Sequence, residues 1–186
     1  VGPMNVGSIT DSVGGAGTVV VNAEGKRFMD ETLITKDPSR YFSYKNAVHM
    51  DIISLEFPND PAYMIIDETK RTQGALVNTT LSTCGFGIID WDKDNQNAID
   101  KGWLIKADTI EELAAKIRDS HDLNKGRMDP PVLAATMEQY QTMVDTGVDE
   151  EFGRVSAIKN SLTGEVTDPG FQSINTPPFY AMPLVA

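Results

Sequence analysis

The chain has 186 residues, of which 40% are hydrophobic and 23% are charged, a balance that is ordinary for one globular domain with a sizeable core. Its formal net charge of −11 argues against nucleic acid and against an anionic membrane surface as partners. The single cysteine, Cys84, cannot form an intrachain disulfide, which favours a cytoplasmic location without fixing it. No apolar run approaches the length of a membrane-spanning helix, and no signal peptide is visible.

The first predicted element is a β-hairpin. After an irregular entry over residues 1–16, a β-branched run over residues 18–21 stops at Asn22, and strand-forming residues resume at Arg27. The connection between them contains Gly25. Strand formers on both sides of a short connection with Asn and Gly are typical of a hairpin, because these residues accept a positive φ.

A helix and two strands are predicted next. Asp37-Pro38-Ser39 is typical of a helix start, and the apolar spacing of residues 41–55 predicts a helix packed on one face. The Pro-rich segment 58–61 ends this helix. Residues 62–67 have the composition of a buried strand, and residues 76–83 also have strand character.

The second half of the chain carries clearer helix signals. A short helix is predicted over residues 98–101 and a strand over residues 103–107, followed by a helix whose capping box is either Asp108 with Glu111 or Thr109 with Glu112. Another helix begins at Asp129-Pro130-Pro131 and ends at Gly147, and residues 177–182 begin a strand. Strands and helices alternate without βαβ regularity, so the predicted class is α+β, with mixed short strands, packed helices and no linker.

The hairpin sequence V-N-x-E-G-K-R-F-x-D-E at residues 21–31 resembles the opening of the capping (clamp) domain in flavoproteins of the fumarate reductase and succinate dehydrogenase group. Further landmarks follow in the family's order over nearly the whole chain. They are A-Y-x-I-x-D at residues 62–67, the 103–107 strand with the 109–117 helix, the 133–147 helix, D-x-x-F-G-R at residues 149–154, and P-P-F-Y-A at residues 177–181. Any one landmark is common, but the ordered set is specific to this domain.

The resemblance implies the capping domain of a two-domain flavoprotein. Residues 1–186 would form this single domain, with residues 1–12 and 176–186 as junctions to an FAD-binding domain that lies outside the chain. The glycines at residues 14–17 precede a strand instead of lying between a strand and a helix, so they do not form a dinucleotide-binding fingerprint. FAD is therefore expected in the full-length parent, and tight binding to this fragment is not expected.

The resemblance also implies a proton donor. In this family a hydride moves between flavin and a C=C bond next to a carboxylate or carbonyl, and a positioned acid supplies the proton. Fumarate reductases use the Arg of a Thr-Arg-Asp segment shortly after the hairpin, where this sequence has Thr35-Lys36-Asp37. Lys36 is therefore the candidate donor, although lysine lacks the two-point grip of arginine on a carboxylate. The alternative is that Lys36 is an exposed cation beside a helix cap.

Thr10 and Asp11 are the candidate substrate-binding residues. A Thr-Glu-x-x-Arg motif before the hairpin supplies substrate contact and a proton relay in fumarate reductases, and it maps onto Thr10-Asp11-Ser12-Val13-Gly14. Because Gly14 has no side chain where the relay Arg would lie, either the substrate is not fumarate or the relay is built differently. The alternative is that Thr10 and Asp11 are turn residues.

Two other groups of charged residues are interpreted without a catalytic role. Arg27 is expected to pair with Asp30 or Glu31 and to be structural. Four aspartates lack the central Gly and terminal Glu of a calcium loop, so we expect a solvated loop and no metal site. They are Asp90, Asp92, Asp94 and Asp100.

Two functional hypotheses follow. In the first, the chain is part of an FAD-dependent oxidoreductase acting on a small unsaturated acid or an enone. Alone it would be inactive, because the hydride chemistry belongs to the flavin. In the second, it is a stand-alone α+β binding module without chemistry. The first predicts an exposed apolar or Gly-rich face where the FAD-binding domain would lie, and the second does not.

Overall fold

A mixed sheet forms the centre of the fold. The computed structural model describes residues 4–5, 15–34, 45–46, 48–77, 90–120, 123–155, 158–159, 162–168 and 170–185. Within them, the sheet runs in the order β1–β7–β3–β2, and β4 also pairs with β7. The strands are β1 (Met4–Asn5), β2 (Val19–Val21), β3 (Ala62–Asp67), β4 (Ile105–Ala107) and β7 (Phe179–Val185). β1 is parallel to β7, and the other pairs are antiparallel.

The helices and a small second sheet surround this centre. A 3-10 helix spans Glu31–Ile34, and the described α-helices are α1 (Glu68–Arg71), α2 (Gln96–Asp100), α3 (Ile110–Arg118) and α4 (Pro130–Thr146). The second sheet pairs β5 (Ile158–Lys159) with β6 (Val166–Asp168). The predicted α+β class is confirmed.

Both faces of the sheet are covered by apolar packing. All six residues of β3 are buried, and their side chains alternate between the two faces. Tyr63 and Ile65 pack with residues of α3 and α4, whereas Met64 and Ile66 pack on the other face with Trp91 and its neighbours. A strand buried on both faces explains the continuous apolar run over residues 62–66.

The capping signals predicted α3 and α4 closely. Thr109 is the N-cap of α3, and its Oγ1 accepts a hydrogen bond from the Glu112 backbone N–H at 3.1 Å. The Glu112 carboxylate accepts one from the Asp108 N–H at 3.0 Å, so the capping box with Thr109 is the one that forms. Helix α4 ends at Gly147, whose φ of 71° is the left-handed conformation that glycine readily adopts.

The predicted hairpin turn forms, but its second arm is short. The Asn22 side chain accepts hydrogen bonds from the backbone N–H groups of Glu24 and Lys26, both at 3.0 Å, and Gly25 has a φ of 97°. Arg27 forms a single antiparallel bridge to Val21. The chain then leaves the sheet for the 3-10 helix.

The predicted helix over residues 41–55 is wrong in its later part. Residues 45–46 are helical, but residues 51–56 form a tight turn closed by a bridge between Asp51 and Glu56. The Asp51 carboxylate accepts hydrogen bonds from the Ile53 N–H and the Ser54 hydroxyl, both at 2.9 Å. These local bonds offer the backbone an alternative to helix, which the apolar spacing did not reveal. The predicted helix start at residues 37–39 lies outside the described residues.

Three further elements differ in extent from their predicted bounds. The short helix predicted over residues 98–101 begins earlier, as α2, and the strand predicted over 103–107 is limited to β4. Of the strand predicted over residues 76–83, only residues 76–77 are described, and they are bends. The strand predicted from residue 177 is β7, which pairs with β3 on one side and with β1 and β4 on the other.

Asn95 holds the segment before α2 to the chain near α1. Its Oδ1 accepts hydrogen bonds from the Leu76 N–H at 2.8 Å and the Trp91 indole N–H at 2.7 Å. Its Nδ2 donates to the carbonyls of Arg71 and Gly74 at 2.8 and 2.9 Å. Asn95 is fully buried and has a left-handed φ of 62°.

Across the described part of the chain, no helix has both the length and the apolar character needed to cross a bilayer.

Candidate functional site

The three site residues predicted from the sequence, Thr10, Asp11 and Lys36, lie outside the described residues. Their described neighbours are well anchored. Gly15 follows Asp11 by four positions, and Glu31 precedes Lys36 by five. Glu31 belongs to a buried ionic cluster, and the Gly15 carbonyl accepts a hydrogen bond from an arginine of that cluster. The described structure therefore fixes the chain just after Asp11 and just before Lys36.

The buried ionic cluster consists of Arg27, Glu31, Asp149 and Arg154, none more than 8% exposed. Arg27 Nε and Nη2 donate to the two carboxylate oxygens of Glu31, each at 2.9 Å. Arg27 also donates to both oxygens of Asp149, at 3.2 Å from Nη1 and 2.9 Å from Nη2. Two cations thus meet two carboxylates, which is the balance that a buried cluster of charges needs.

Arg154 ties the cluster to the backbone before β2. Its Nη1 donates to the Thr18 carbonyl at 2.7 Å and lies 3.3 Å from a Glu31 carboxylate oxygen, and its Nη2 donates to the Gly15 carbonyl at 2.8 Å. The Val20 N–H donates to Glu31 at 3.2 Å. One arginine therefore fixes both the chain that follows Asp11 and the carboxylate that precedes Lys36.

The charges of this cluster stabilise each other. Burial by itself raises the pKa of Asp149, but the hydrogen bonds and charge of Arg27, with the N–H groups of Phe152 and Arg154, outweigh burial and lower that pKa to about 2. Burial likewise lowers the pKa of Arg27, but Glu31 and Asp149 raise it further than burial lowers it. Asp149 and Arg27 are therefore both ionised at neutral pH, and neither is suited to exchange a proton there.

Of the contacts in this cluster, the sequence predicted only that of Arg27 with Glu31, as one of two alternatives. Arg27 was expected to be structural and to pair with Asp30 or Glu31. The structure pairs it with Glu31, while Asp30 accepts hydrogen bonds from the Thr32 N–H and hydroxyl. Asp149 and Arg154 were noticed only as a landmark motif. The opposite charges of Asp149 and Arg154, matched to those of Arg27 and Glu31, are the sequence signal that would have pointed to a shared cluster.

The described surface has several shallow pockets. One of about 250 Å³ lies over Arg27 and is lined by α4 and the 148–151 loop. A larger one, about 430 Å³, lies between the start of α3 and α4 and carries Asp108, Glu111 and Glu138 on its wall. In the first, Arg27 lies beside three carboxylates, Asp149, Glu150 and Glu151. A third pocket of about 340 Å³ has Lys125 and Arg127 on its wall, next to Glu56 and Asp60.

The four aspartates considered for metal binding make other contacts. Asp90 pairs with Lys101 at 2.9 Å, and an Asp92 oxygen accepts from the Asn97 N–H at 3.1 Å. Among the described residues, no three His, Cys, Asp or Glu side chains are grouped as a metal ion would require.

Comparison with curated proteins finds relatives along most of the chain, although no protein-family model matches it. The chain is 24% identical over 179 residues to 3-oxosteroid 1-dehydrogenase of Mycobacterium tuberculosis, covering 91% of this chain and 27% of the relative. It is 28% identical over 151 residues to NADH:fumarate oxidoreductase of Klebsiella pneumoniae, covering 81% of this chain and 12% of the relative. It is 34% identical over 136 residues to NADH:acrylate oxidoreductase of Vibrio harveyi, covering 72% and 10%.

Solved structures share the fold. A 3-ketosteroid Δ1-dehydrogenase of Sterolibacterium denitrificans superposes with a TM-score of 0.56 at 21% identity, over 94% of this chain and 28% of that one. A flavocytochrome c3 fumarate reductase in an open conformation gives a TM-score of 0.51 at 22% identity, over 97% of this chain and 22% of that one. A fumarate reductase flavoprotein subunit of Lactobacillus plantarum, solved by NMR, gives 0.54 at 17% identity, over 97% and 88%.

The chain is a segment of a fumarate reductase-type flavoprotein. This flavoprotein segment spans between 10% and 27% of the curated relatives described above. The resemblance drawn from the hairpin and its ordered landmarks is confirmed. The buried ionic cluster unites two of those landmarks, the hairpin and the D-x-x-F-G-R motif.

Proposed function

We propose that this flavoprotein segment is the capping domain of an FAD-dependent oxidoreductase that forms or reduces a C=C bond conjugated to a carbonyl or a carboxylate. The supporting observation is the chemistry shared by the relatives' names. Fumarate and acrylate carry a C=C bond next to a carboxylate, and dehydrogenating a 3-oxosteroid at carbon 1 creates one next to the 3-oxo group. The chain matches these proteins over 72–91% of its length.

Among the described residues, no glycine-rich turn lies between a strand and a helix, because Gly15 and Gly17 precede β2. FAD, which would supply the hydride chemistry, is then held by the FAD-binding domain of the same parent chain. The part of the present chain is to cover the substrate, exclude water and deliver a proton.

Lys36 is the proposed proton donor, with Thr10 and Asp11 as substrate contacts. Reduction adds a hydride to one carbon of the double bond, and the Lys36 ammonium gives its proton to the other carbon and becomes neutral. In support, Arg154 binds both Gly15 and Glu31, which are close in sequence to the two predicted segments. A rigid connection of this kind is what a site built from two loops requires.

The substrate is proposed to be an enone or a monocarboxylate in preference to fumarate. Lys36 lacks the planar fork with which an arginine binds a carboxylate at two points, and Gly14 contributes no cation. A substrate with one carbonyl or carboxylate group needs fewer cationic contacts from such a site than the dicarboxylate fumarate does. The full-length protein should therefore turn over acrylate or a 3-oxosteroid faster than fumarate.

Substitution of Lys36 in the full-length protein tests the donor. We expect Lys36→Ala to lower the steady-state rate by about 10²–10⁴-fold, the usual contribution of general acid catalysis, at unchanged flavin content. Lys93→Ala, at an exposed lysine on a loop, is the matched control and should leave the rate unchanged. An unaltered rate in Lys36→Ala would remove Lys36 from the mechanism. A full-length protein without flavin would favour the stand-alone binding module.

A further inference from the structure

A tight turn at residues 50–57, the apolar turn, exposes an unusual number of large apolar side chains. Ile53 is 90% exposed, Ile52 80% and Leu55 70%, and Phe57 and Met50 are 45% and 41% exposed. Single exposed apolar residues are ordinary, but a contiguous group of this kind marks an interaction surface.

The apolar turn is a defined structure. The Asp51 N–H donates to the Glu56 carbonyl, and the Leu55 N–H donates to the Asp51 carbonyl, both at 2.8 Å. Leu55 has a φ of 59°, in the left-handed region that a bulky residue seldom adopts. The backbone is therefore held in a conformation that keeps the Leu55 side chain in solvent, at a conformational cost that packing within this domain does not repay.

Contacts from a second loop fix the base of the apolar turn. Arg127 donates to the Phe57 carbonyl at 3.3 Å and to the Asp60 carbonyl at 3.1 Å. The Ala23 N–H donates to the Pro58 carbonyl at 3.3 Å, which joins the base to the hairpin turn. The backbone that carries the apolar side chains is thus fixed at its base by hydrogen bonds to two other segments.

The apolar turn is joined to the end of the sheet where both described ends of the chain lie. It leads into β3 at Ala62, which pairs with Leu184 of β7, and Leu184 pairs with Met4 of β1. Since the relatives are about four to ten times longer than their matched segments, most of such a protein lies beyond this chain. Polypeptide that continues from β7 emerges at this end of the sheet, next to the chain that leads from the apolar turn into β3.

We infer that the apolar turn docks on the FAD-binding domain of the same parent chain. This inference rests on the proposed function, and it assigns to Ile52, Ile53 and Leu55 a contact that buries apolar surface between the two domains. Such burial is the main source of affinity between protein surfaces. The base of the turn, held by Arg127, stays within the capping domain.

Oxidative footprinting of the full-length protein tests the inference. Hydroxyl radicals oxidise exposed side chains, and mass spectrometry compares the apolar turn with Leu162, a matched control that is 94% exposed in the loop between β5 and β6. We expect oxidation of the turn to be several-fold slower than that of Leu162. Ile53→Asp should restore oxidation of Met50 and Phe57, whereas Leu162→Asp should not.

Three results would overturn the inference, and the flavin content of the same sample shows whether the proposed function fails with it. A flavin-containing protein whose apolar turn is oxidised as fast as Leu162 rejects docking and leaves the proposed function intact. Protection that disappears on dilution, as the protein passes from dimer to monomer, assigns the turn to a second copy instead. A protein without flavin rejects the proposed function and this inference together.

Discussion

Arg27 donates two hydrogen bonds to the carboxylate of Asp149, although the two residues are separated by 122 positions in the sequence. The same guanidinium binds Glu31, so the end of the hairpin and the loop after α4 are fastened at one buried point. The two positive and two negative charges of the buried ionic cluster balance only when all four side chains are present. Removing one member leaves another buried without its partner, which costs more than the pair contributes when intact.

Arg27→Leu should lower the free energy of unfolding of the chain by about 3–5 kcal/mol, the usual cost of leaving a buried charge uncompensated. Lys26→Ala is the matched control, since Lys26 pairs with Glu24 at the surface, and it should cost about 1 kcal/mol or less. Denaturant titration measures both. The double variant Arg27→Leu with Asp149→Leu should cost less than the sum of its two single variants. Equal losses in Arg27→Leu and Lys26→Ala would show that the cluster is not structural.

Stability should also fall in acid because of Asp149. Its pKa in the folded chain is about 2, below the ordinary 3.8, so its contribution is complete above about pH 4 and is lost as the pH falls towards 2. Urea unfolding across this interval should show a steep loss of stability in the unsubstituted chain and a shallower one in Asp149→Asn. The exposed control Asp145→Asn should retain the steep loss. Identical slopes in all three proteins would contradict the assignment.

Signals that act within a few residues predicted local structure well. The predictions failed where the structure depends on contacts between distant segments or on exposed apolar residues. The Thr109 cap, Gly147 and the Asn22 turn act within a few residues, and each forms as predicted. Within the ionic cluster, the contact of Arg27 with Glu31 is local and was one of the predicted alternatives, whereas the contacts with Asp149 and Arg154 span more than a hundred residues and were not predicted. The apolar spacing of residues 41–55 misled because apolar side chains that are exposed in a turn have the same spacing as a buried helix face.

Asn95 offers a test of the polar contacts before α2. Asn95→Gly accepts the left-handed backbone at no strain but removes four hydrogen bonds, each worth about 0.5–1.5 kcal/mol, so unfolding should become easier by about 2 kcal/mol or more. The fluorescence of Trp91, which donates to Asn95, should change with it. Asn97→Ala, whose bonds lie at the surface, is the control. Unchanged stability and fluorescence in Asn95→Gly would show that Asn95 does not hold the segment before α2 in place.

Gly25 tests the close approach of the hairpin turn to α4. A Cβ at Gly25 would lie 3.0 Å from the Met128 sulfur and 3.1 Å from the Leu133 nitrogen, at a φ of 97°. Gly25→Ala should therefore cost about 2–5 kcal/mol, from backbone strain and overpacking together. Gly102→Ala has the strain of a positive φ without a neighbour within 4 Å, and should cost about 1–2 kcal/mol. Thermal unfolding compares them, and equal losses would rule out the contact.

The most direct test of the capping-domain account is a single-turnover measurement on the full-length protein. Its flavin is reduced without oxygen and then mixed with acrylate, with fumarate or with a 3-oxosteroid that carries a C=C bond at carbon 1, while the visible flavin absorption is followed. The account predicts a flavin that at least one conjugated acceptor reoxidises, more slowly in Lys36→Ala than in the unsubstituted protein. A protein with no flavin, or one whose reduced flavin is reoxidised only by oxygen, would contradict it.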